Sequence, residues 1–342
     1  MSYLVNPYMV TASGDITMWE ELGRTTLGSA GDSIAVTGMD EKPFIMFVAQ
    51  VTAETSDTFN PCFRFGNGSL DSGSNYARRR NVNGTPATSV SDSEITSNGS
   101  SKPNFIVGYV RNETDYEKTL QASFTARGSA GASNAPSSME LIGKWTNTSV
   151  QFDQFELLNN DIGSFDTGSQ LVVLGHDPAS TSGTFWELLD SEELTGTAST
   201  ITSTFTSKKY LFVQSMLIGH GSISGGGITM NGDGASSAYA RRYENNGGAS
   251  ATGVSENRLE EAGTATSGYI MQTHFICNIS DQEKLVISRN YFGNTGASVV
   301  PDRRMLYGKW ENTSEQIDTI MLTDNAGGDF DTGSTLKVWG SD

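Results

Sequence analysis

Residues 140–177 and residues 305–342 align without a gap and are identical at 21 of 38 positions. The identities include Gly-Lys-Trp ending at Trp145 and Trp310, an Asn-Thr-Ser just behind it, and Phe-Asp-Thr-Gly-Ser beginning at Phe165 and Phe330. A match of this length means one folding unit written twice. It reaches back through both halves. Trp19–Leu22 corresponds to Trp186–Leu189 and Lys42–Val48 to Lys209–Ser215, each at an offset of 167. Tyr76–Arg79 corresponds to Tyr239–Arg242, and Glu117-Lys118 to Glu283-Lys284. Offsets between 163 and 167 leave room for only small loop differences. The period is too long for a solenoid repeat, so each half is expected to enclose its own core. The expected domains are 1–177, with an additional arm at 1–14, and 178–342, joined near Asp177-Pro178.

Long stretches of 3.6-residue periodicity are missing. Short runs rich in β-branched and aromatic residues recur instead, at Ser33–Val36, Phe44–Val51, Cys62–Phe65, Phe105–Val110, Lys118–Ala126, Phe152–Leu158 and Leu171–Leu174. The second half repeats most of them at Ile201–Phe205, Tyr210–Ile218, Tyr269–Ile276, Lys284–Ser288, Ile317–Leu322 and Leu336–Trp339. Clusters of Gly, Asn, Asp and Ser separate the runs. The pattern predicts an all-β protein of two tandem homologous antiparallel β-sandwich domains, jelly-roll-like in kind. Counting Tyr76–Val82 and Met139–Asn147 gives about eight or nine strands per half. Helix is expected only as a turn at Trp19–Leu22 and Trp186–Leu189. Trp145 and Trp310 are expected to enter the two cores, with Phe165 and Phe330 packing inward from the Phe-Asp-Thr-Gly-Ser turn.

The chain carries 22 Lys+Arg against 39 Asp+Glu, a net charge of −17, with 36% hydrophobic residues. Such a surface repels a phosphate backbone, so no nucleic-acid partner is expected. No run approaches 18 apolar residues, so no membrane-spanning helix is expected. No basic segment followed by an apolar run opens the chain, and no secretory signal is expected. Cys62 and Cys277 occupy non-equivalent repeat positions, one in each half, and read as buried thiols.

The three histidines, His176, His220 and His274, have no counterparts between halves and no metal-ligand spacing around them. No nucleophile elbow, phosphate loop or zinc-protease motif occurs, and neither a catalytic set, a metal nor a cofactor is expected. The loops holding Asn159, Asn160, Asp161 and Asp166, and Asp324, Asn325, Asp329 and Asp331, offer oxygen ligands for calcium. They lack the EF-hand spacing, and turn chemistry is the leading reading. Basic clusters stand out in so acidic a chain: Tyr76 with Arg78, Arg79 and Arg80, and Tyr239 with Arg241 and Arg242. Their functional reading is an interface or ligand contact, with the tyrosines stacking on sugar. Their bland reading is strand arginines paired with local carboxylates.

WEELGRTTLGSAGDSIAV at 19–36, NYARRR at 75–80 with Asn-Gly close behind, GASNAP at 131–136, and GKWTNTS with FDTGSQLVVLG resemble a module of virion structural proteins of tailed bacteriophages, marine and environmental ones above all. The resemblance spans residues 15–177 and 181–342. The second half departs from it where LDSEELTGTA stands in place of LGRTTLGSAG. The resemblance implies a non-enzymatic virion part assembled in a host cytoplasm. Its expected partners are other virion proteins, either the major capsid protein or tail proteins, and further copies of itself, as a trimer. A capsid-decorating (cement or head-fibre) role leads; a tail or baseplate part, or a module binding host glycans, is the alternative. Met1–Gly14 has no charged side chain, and it is read either as an edge strand or as an arm that docks on a neighbour.

Overall fold

The structure, a computed structural model, describes residues 16, 18–53, 60–97, 103–178, 183, 185–220, 226–234, 237–260, 268–293, 297–298, 300–324 and 328–342. The expected arm at Met1–Gly14 lies outside the described residues. The chain divides into two compact units, Met1–Gly128 with Ser138–Trp186, and Ser129–Ser137 with Glu187–Asp342. The division at Trp186 falls later than the expected junction at Asp177-Pro178, because Ile16 pairs with Trp186 and the Phe185 amide donates to the Trp19 carbonyl.

The strands of unit 1 are β1 (Glu20–Thr26), β2 (Ser33–Thr37), β3 (Phe44–Val51), β4 (Pro61–Asn67), β5 (Ser69–Leu70), β6 (Tyr76–Val82), β7 (Thr85–Asp92), β8 (Ile95–Thr96), β9 (Asn104–Arg111), β10 (Lys118–Ala126), β11 (Ser137–Trp145), β12 (Gln154–Asn159) and β13 (Gln170–His176). Those of unit 2 are β14 (Glu187–Glu193), β15 (Thr200–Thr204), β16 (Tyr210–His220), β17 (Gly226–Met230), β18 (Tyr239–Asn245), β19 (Ala251–Glu256), β20 (Leu259–Glu260), β21 (Tyr269–Cys277), β22 (Lys284–Gly293), β23 (Asp302–Trp310), β24 (Thr319–Asp324), β25 (Asp329–Phe330) and β26 (Thr335–Ser341).

One sheet of unit 1 runs β1-β13-β3-β9-β10-β11-β6-β7, and the other runs β2-β12-β4-β5 with β8 also on β4. The large sheet of unit 2 runs β14-β26-β16-β21-β22-β23-β18-β19, with β25 beside β16, and its partner runs β15-β24-β17-β20. Read as repeats, the two large sheets have the same order. The small sheets share β2-β12-β4 and β15-β24-β17, with β8 and β20 in equivalent places, while β5 and β25 have no counterpart strands. Among the described residues every strand pairing is antiparallel. The chain is therefore all-β, two tandem homologous sandwiches of jelly-roll-like kind. Each has its own core. Phe47, Phe63, Phe65, Phe155 and Trp145 belong to the first; Val213, Ile228, Trp310, Leu322 and Val338 belong to the second.

Two expectations need correction. The Trp-Glu-x-Leu segments are strands and not helical turns. β1 and β14 pair along the closing strands β13 and β26, and each carries a bulge, between Glu21 and Gly23 and between Leu188 and Asp190. The extra bulge residue breaks the alternation that marks a strand in sequence. The second correction is a register. Lys42 matches Lys208, not Lys209: it pairs with Glu20 at 3.1 Å, as Lys208 pairs with Glu187 at 3.6 Å. Asn112 and Asn278 fix the match, donating to the carbonyls of Lys42 and Lys208 respectively. A slip of one residue would turn the inward face of β16 outward.

Candidate functional site

The Tyr-Ala-Arg-Arg strands were the strongest candidate for a ligand contact, and the structure shows what each of their side chains does. Tyr76 opens β6 and is 1% exposed; Tyr239 opens β18 and is fully buried. Each lies nearly parallel to the tryptophan of the neighbouring strand, Tyr76 on Trp145 with centroids 6.4 Å apart and Tyr239 on Trp310 at 6.3 Å. The Tyr76 hydroxyl accepts from the Phe65 amide at 3.0 Å and donates to the Asp71 carbonyl at 2.9 Å. The Tyr239 hydroxyl does the same with Met230 and Asp233. Each indole N–H then donates to a carboxylate, Trp145 to Asp71 at 2.7 Å and Trp310 to Asp233 at 2.8 Å. Burial works against the charge on Asp71, yet bonds from Trp145, Gly73 and Asn75 hold its carboxyl below the ordinary carboxylate range. Burial pushes both phenols up. The tyrosines are thus scaffold, and of the two readings of these strands their rings fit the structural one. A strand starting with an inward aromatic places it in the interior, and only its hydroxyl needs satisfying there.

The arginines divide by face. Arg78 and Arg241 share the inward face with the tyrosines. Arg78 pairs with Asp92 at 3.9 Å, and Arg241, 7% exposed, with Glu256 at 3.4 Å. Arg80 donates to the Ser97 carbonyl. Arg79 points outward and is exposed. Its equivalent Arg242 donates from Nε to the Pro136 carbonyl at 2.9 Å, within unit 2.

The remaining repeated motifs are structural latches. Lys118 is buried and its ammonium donates to the carbonyls of Glu113, Tyr116 and Asn147, which uses all three protons. Lys284 repeats this with Gln282 and Asn312, and burial pulls its pKa down to about 8. Asn147 and Asn312, the asparagines of Asn-Thr-Ser, each accept from the serine two residues on. Phe165 and Phe330 are fully buried. Gly168 and Gly333 take φ values of 84° and 85°, and the next residue's hydroxyl, Ser169 or Ser334, accepts the amide of Thr52 or Ile218.

The oxygen-rich loops spend their carboxylates on turns: Asp161, Asp166 and Asp331 each accept the following amide. Among the described residues no group of three His, Cys, Asp or Glu is placed to hold a metal ion. The histidines sit apart, His176 against Trp19 and Phe44, His220 beside Asp331, and His274 on Ser288. Cys62 and Cys277 are free and buried, and burial pushes both thiols up to about 12.

One arrangement escaped the sequence reading. Unit 2 includes the nine-residue segment Ser129–Ser137, which carries GASNAP and lies over the outer face of β18, β19 and β23. Lys309, the lysine of Gly-Lys-Trp, donates to the Ser129 carbonyl at 2.7 Å and pairs with Glu283 at 3.3 Å in full burial. Glu283 accepts the Gly131 amide, Glu311 accepts the Ala132 amide at 2.8 Å, and the Ser255 amide donates to the Ala132 carbonyl. The signal was present in the sequence: residues 131–136 read GASNAP and residues 296–301 read GASVVP.

No family model matches the chain, and no curated protein does. Among solved structures, a mouse laminin alpha1 chain, domains LG4-5, is 12% identical. The match covers 96% of this chain and 91% of that one at a TM-score of 0.20, a likeness too slight to inform fold or function.

Proposed function

We propose that this chain is a non-enzymatic structural protein of a tailed-bacteriophage virion, a capsid-decorating part that works as a trimer. The observation that supports it most is what the shared residues do. Across both repeats, Tyr76 and Tyr239, Trp145 and Trp310, Lys118 and Lys284, and Ser169 and Ser334 are all consumed in holding the sandwich together. Duplication has kept a scaffold, as suits a part that presents surfaces to neighbouring proteins. The resemblance of the same strings to virion modules supplies the assignment of those neighbours. Burial of Tyr76 and Tyr239 weighs against the glycan-binding form of the alternative, since neither ring is open to stack on a sugar.

Labelling intact virions with an antibody fragment against the chain, followed by imaging, tests the reading. Density over the head lattice is the expected result. Label confined to the tail would move the chain to a baseplate or fibre role, and unlabelled particles would end the virion assignment.

A further inference from the structure

We propose that Ala297, Val300 and Pro301 of one copy dock on the outer face of β6, β7 and β11 in a second copy, joining chains head to tail. The inference rests on the self-association in the reading above, and not on the virion assignment.

The argument starts from the equivalent face in unit 2. There Ser129–Ser137 covers β18, β19 and β23, and the covered residues are deeply buried: Tyr307 is 2% exposed, Glu283 5% and Lys309 fully buried. In unit 1 the same positions are open. Ile142 stands where Tyr307 does and is 52% exposed. Lys144 and Glu117, equivalents of Lys309 and Glu283, form their ion pair at 2.8 Å with side chains 46% and 42% exposed. Arg79, the equivalent of Arg242, is exposed as well. The backbone matches too. Ser91 and Ser255 both have a left-handed φ, 56° and 54°, at matching bulges. In unit 2 that bulge turns the Ser255 amide onto the Ala132 carbonyl at 2.8 Å.

The loop side shows the mirror situation. In Ser129–Ser137, Ala132 is 1% exposed and Pro136 is buried. Their equivalents Ala297 and Pro301 are exposed, and Val300 between them is 82% exposed. Each chain therefore satisfies this contact once and leaves one loop and one face over. The sizes compensate. Tyr307 becomes the smaller Ile142 on the open face, while Ala135 becomes the larger Val300 on the open loop, and Val90, 74% exposed, adds apolar ground on the same face two strands from Ile142. One position departs: Thr146 stands where Glu311 accepts an amide, so that hydrogen bond has no carboxylate in the copy-to-copy contact. A contact between different surfaces of identical chains is heterologous, and it closes into a ring when the rotation allows.

The test uses the purified full-length chain and two surface variants. Ile142→Asp spoils the face and Val300→Asp spoils the loop; both sites are exposed, so each variant should keep the parent's fold by circular dichroism. By light scattering and native mass spectrometry the parent should be a closed oligomer and each variant a monomer. A one-to-one mixture of the variants should form dimers and nothing larger, because only one intact loop and one intact face remain. A monomeric parent, an oligomer that survives both substitutions, or a mixture that fails to pair would each overturn the proposal. These outcomes are independent of whether the chain is found on particles.

Discussion

The ring of Tyr239 lies over Trp310 with 15° between their planes, and both side chains anchor to the same turn, the tyrosine through the Asp233 carbonyl and the tryptophan through the Asp233 carboxylate. The first repeat builds the same bracket from Tyr76, Trp145 and Asp71. Removing the indole leaves a cavity and takes one donor from a half-buried carboxylate. Trp145→Ala and Trp310→Ala should each cost about 3–5 kcal/mol, read by denaturant unfolding. A loss below about 1 kcal/mol for either would show that the ring does not anchor its core.

Asp233→Ala separates the bracket's polar part from its packing. The Trp310 N–H would lose its acceptor while the ring stays, so the cost should be smaller than that of Trp310→Ala, about 1–3 kcal/mol. Equal costs for the two variants would mean that the hydrogen bond, and not the ring, holds this corner.

The strings that stand out in sequence were legible because they carry turn chemistry and large apolar rings, which sequence displays directly. Trp145, Trp310, Phe165 and Phe330 lie in the cores where their neighbours suggested. What sequence concealed was face. Tyr76 and Arg79 are three residues apart on one strand, yet one is buried and the other exposed. Strand β6 starts at Tyr76, so its period-2 alternation cannot be phased until the pairing partner β11 is known. The Ser129–Ser137 contact was hidden for another reason: its partners are more than 100 residues away in the chain, and the repeated Gly-Ala-Ser string does not say which strands it meets.

The Phe-Asp-Thr-Gly-Ser turns need a left-handed residue at Gly168 and Gly333. A Cβ at Gly168 meets nothing within 4 Å, so the strain of Gly168→Ala is purely conformational. It should cost about 1 kcal/mol or more in stability. An unchanged or raised melting temperature would show that the turn relaxes without glycine.

His274 is buried on β21, and burial holds its pKa down at about 3, against an ordinary value of 6.5. The unfolded chain takes up this proton first, so the term stabilises the fold fully above pH 6.5 and is lost as pH falls toward 3. Its size is on the order of a few kcal/mol. His274→Gln should therefore lose stability less steeply than the parent between pH 6.5 and pH 3 in denaturant titrations. Parallel curves would show that His274 does not titrate on unfolding.

Both thiols are buried with pKa values near 12, and the thiolate is the reactive form. Native protein should resist iodoacetamide at neutral pH, and denatured protein should take up two equivalents, one on each of Cys62 and Cys277. Labelling of either cysteine in the native chain would place it at an accessible surface.

The claim that the chain decorates a capsid is tested most directly by counting it. Quantitative mass spectrometry of purified virions should find the intact chain in fixed proportion to the major capsid protein, at a copy number that scales with the head lattice. A copy number matching tail components, or its absence from purified particles, would contradict the account.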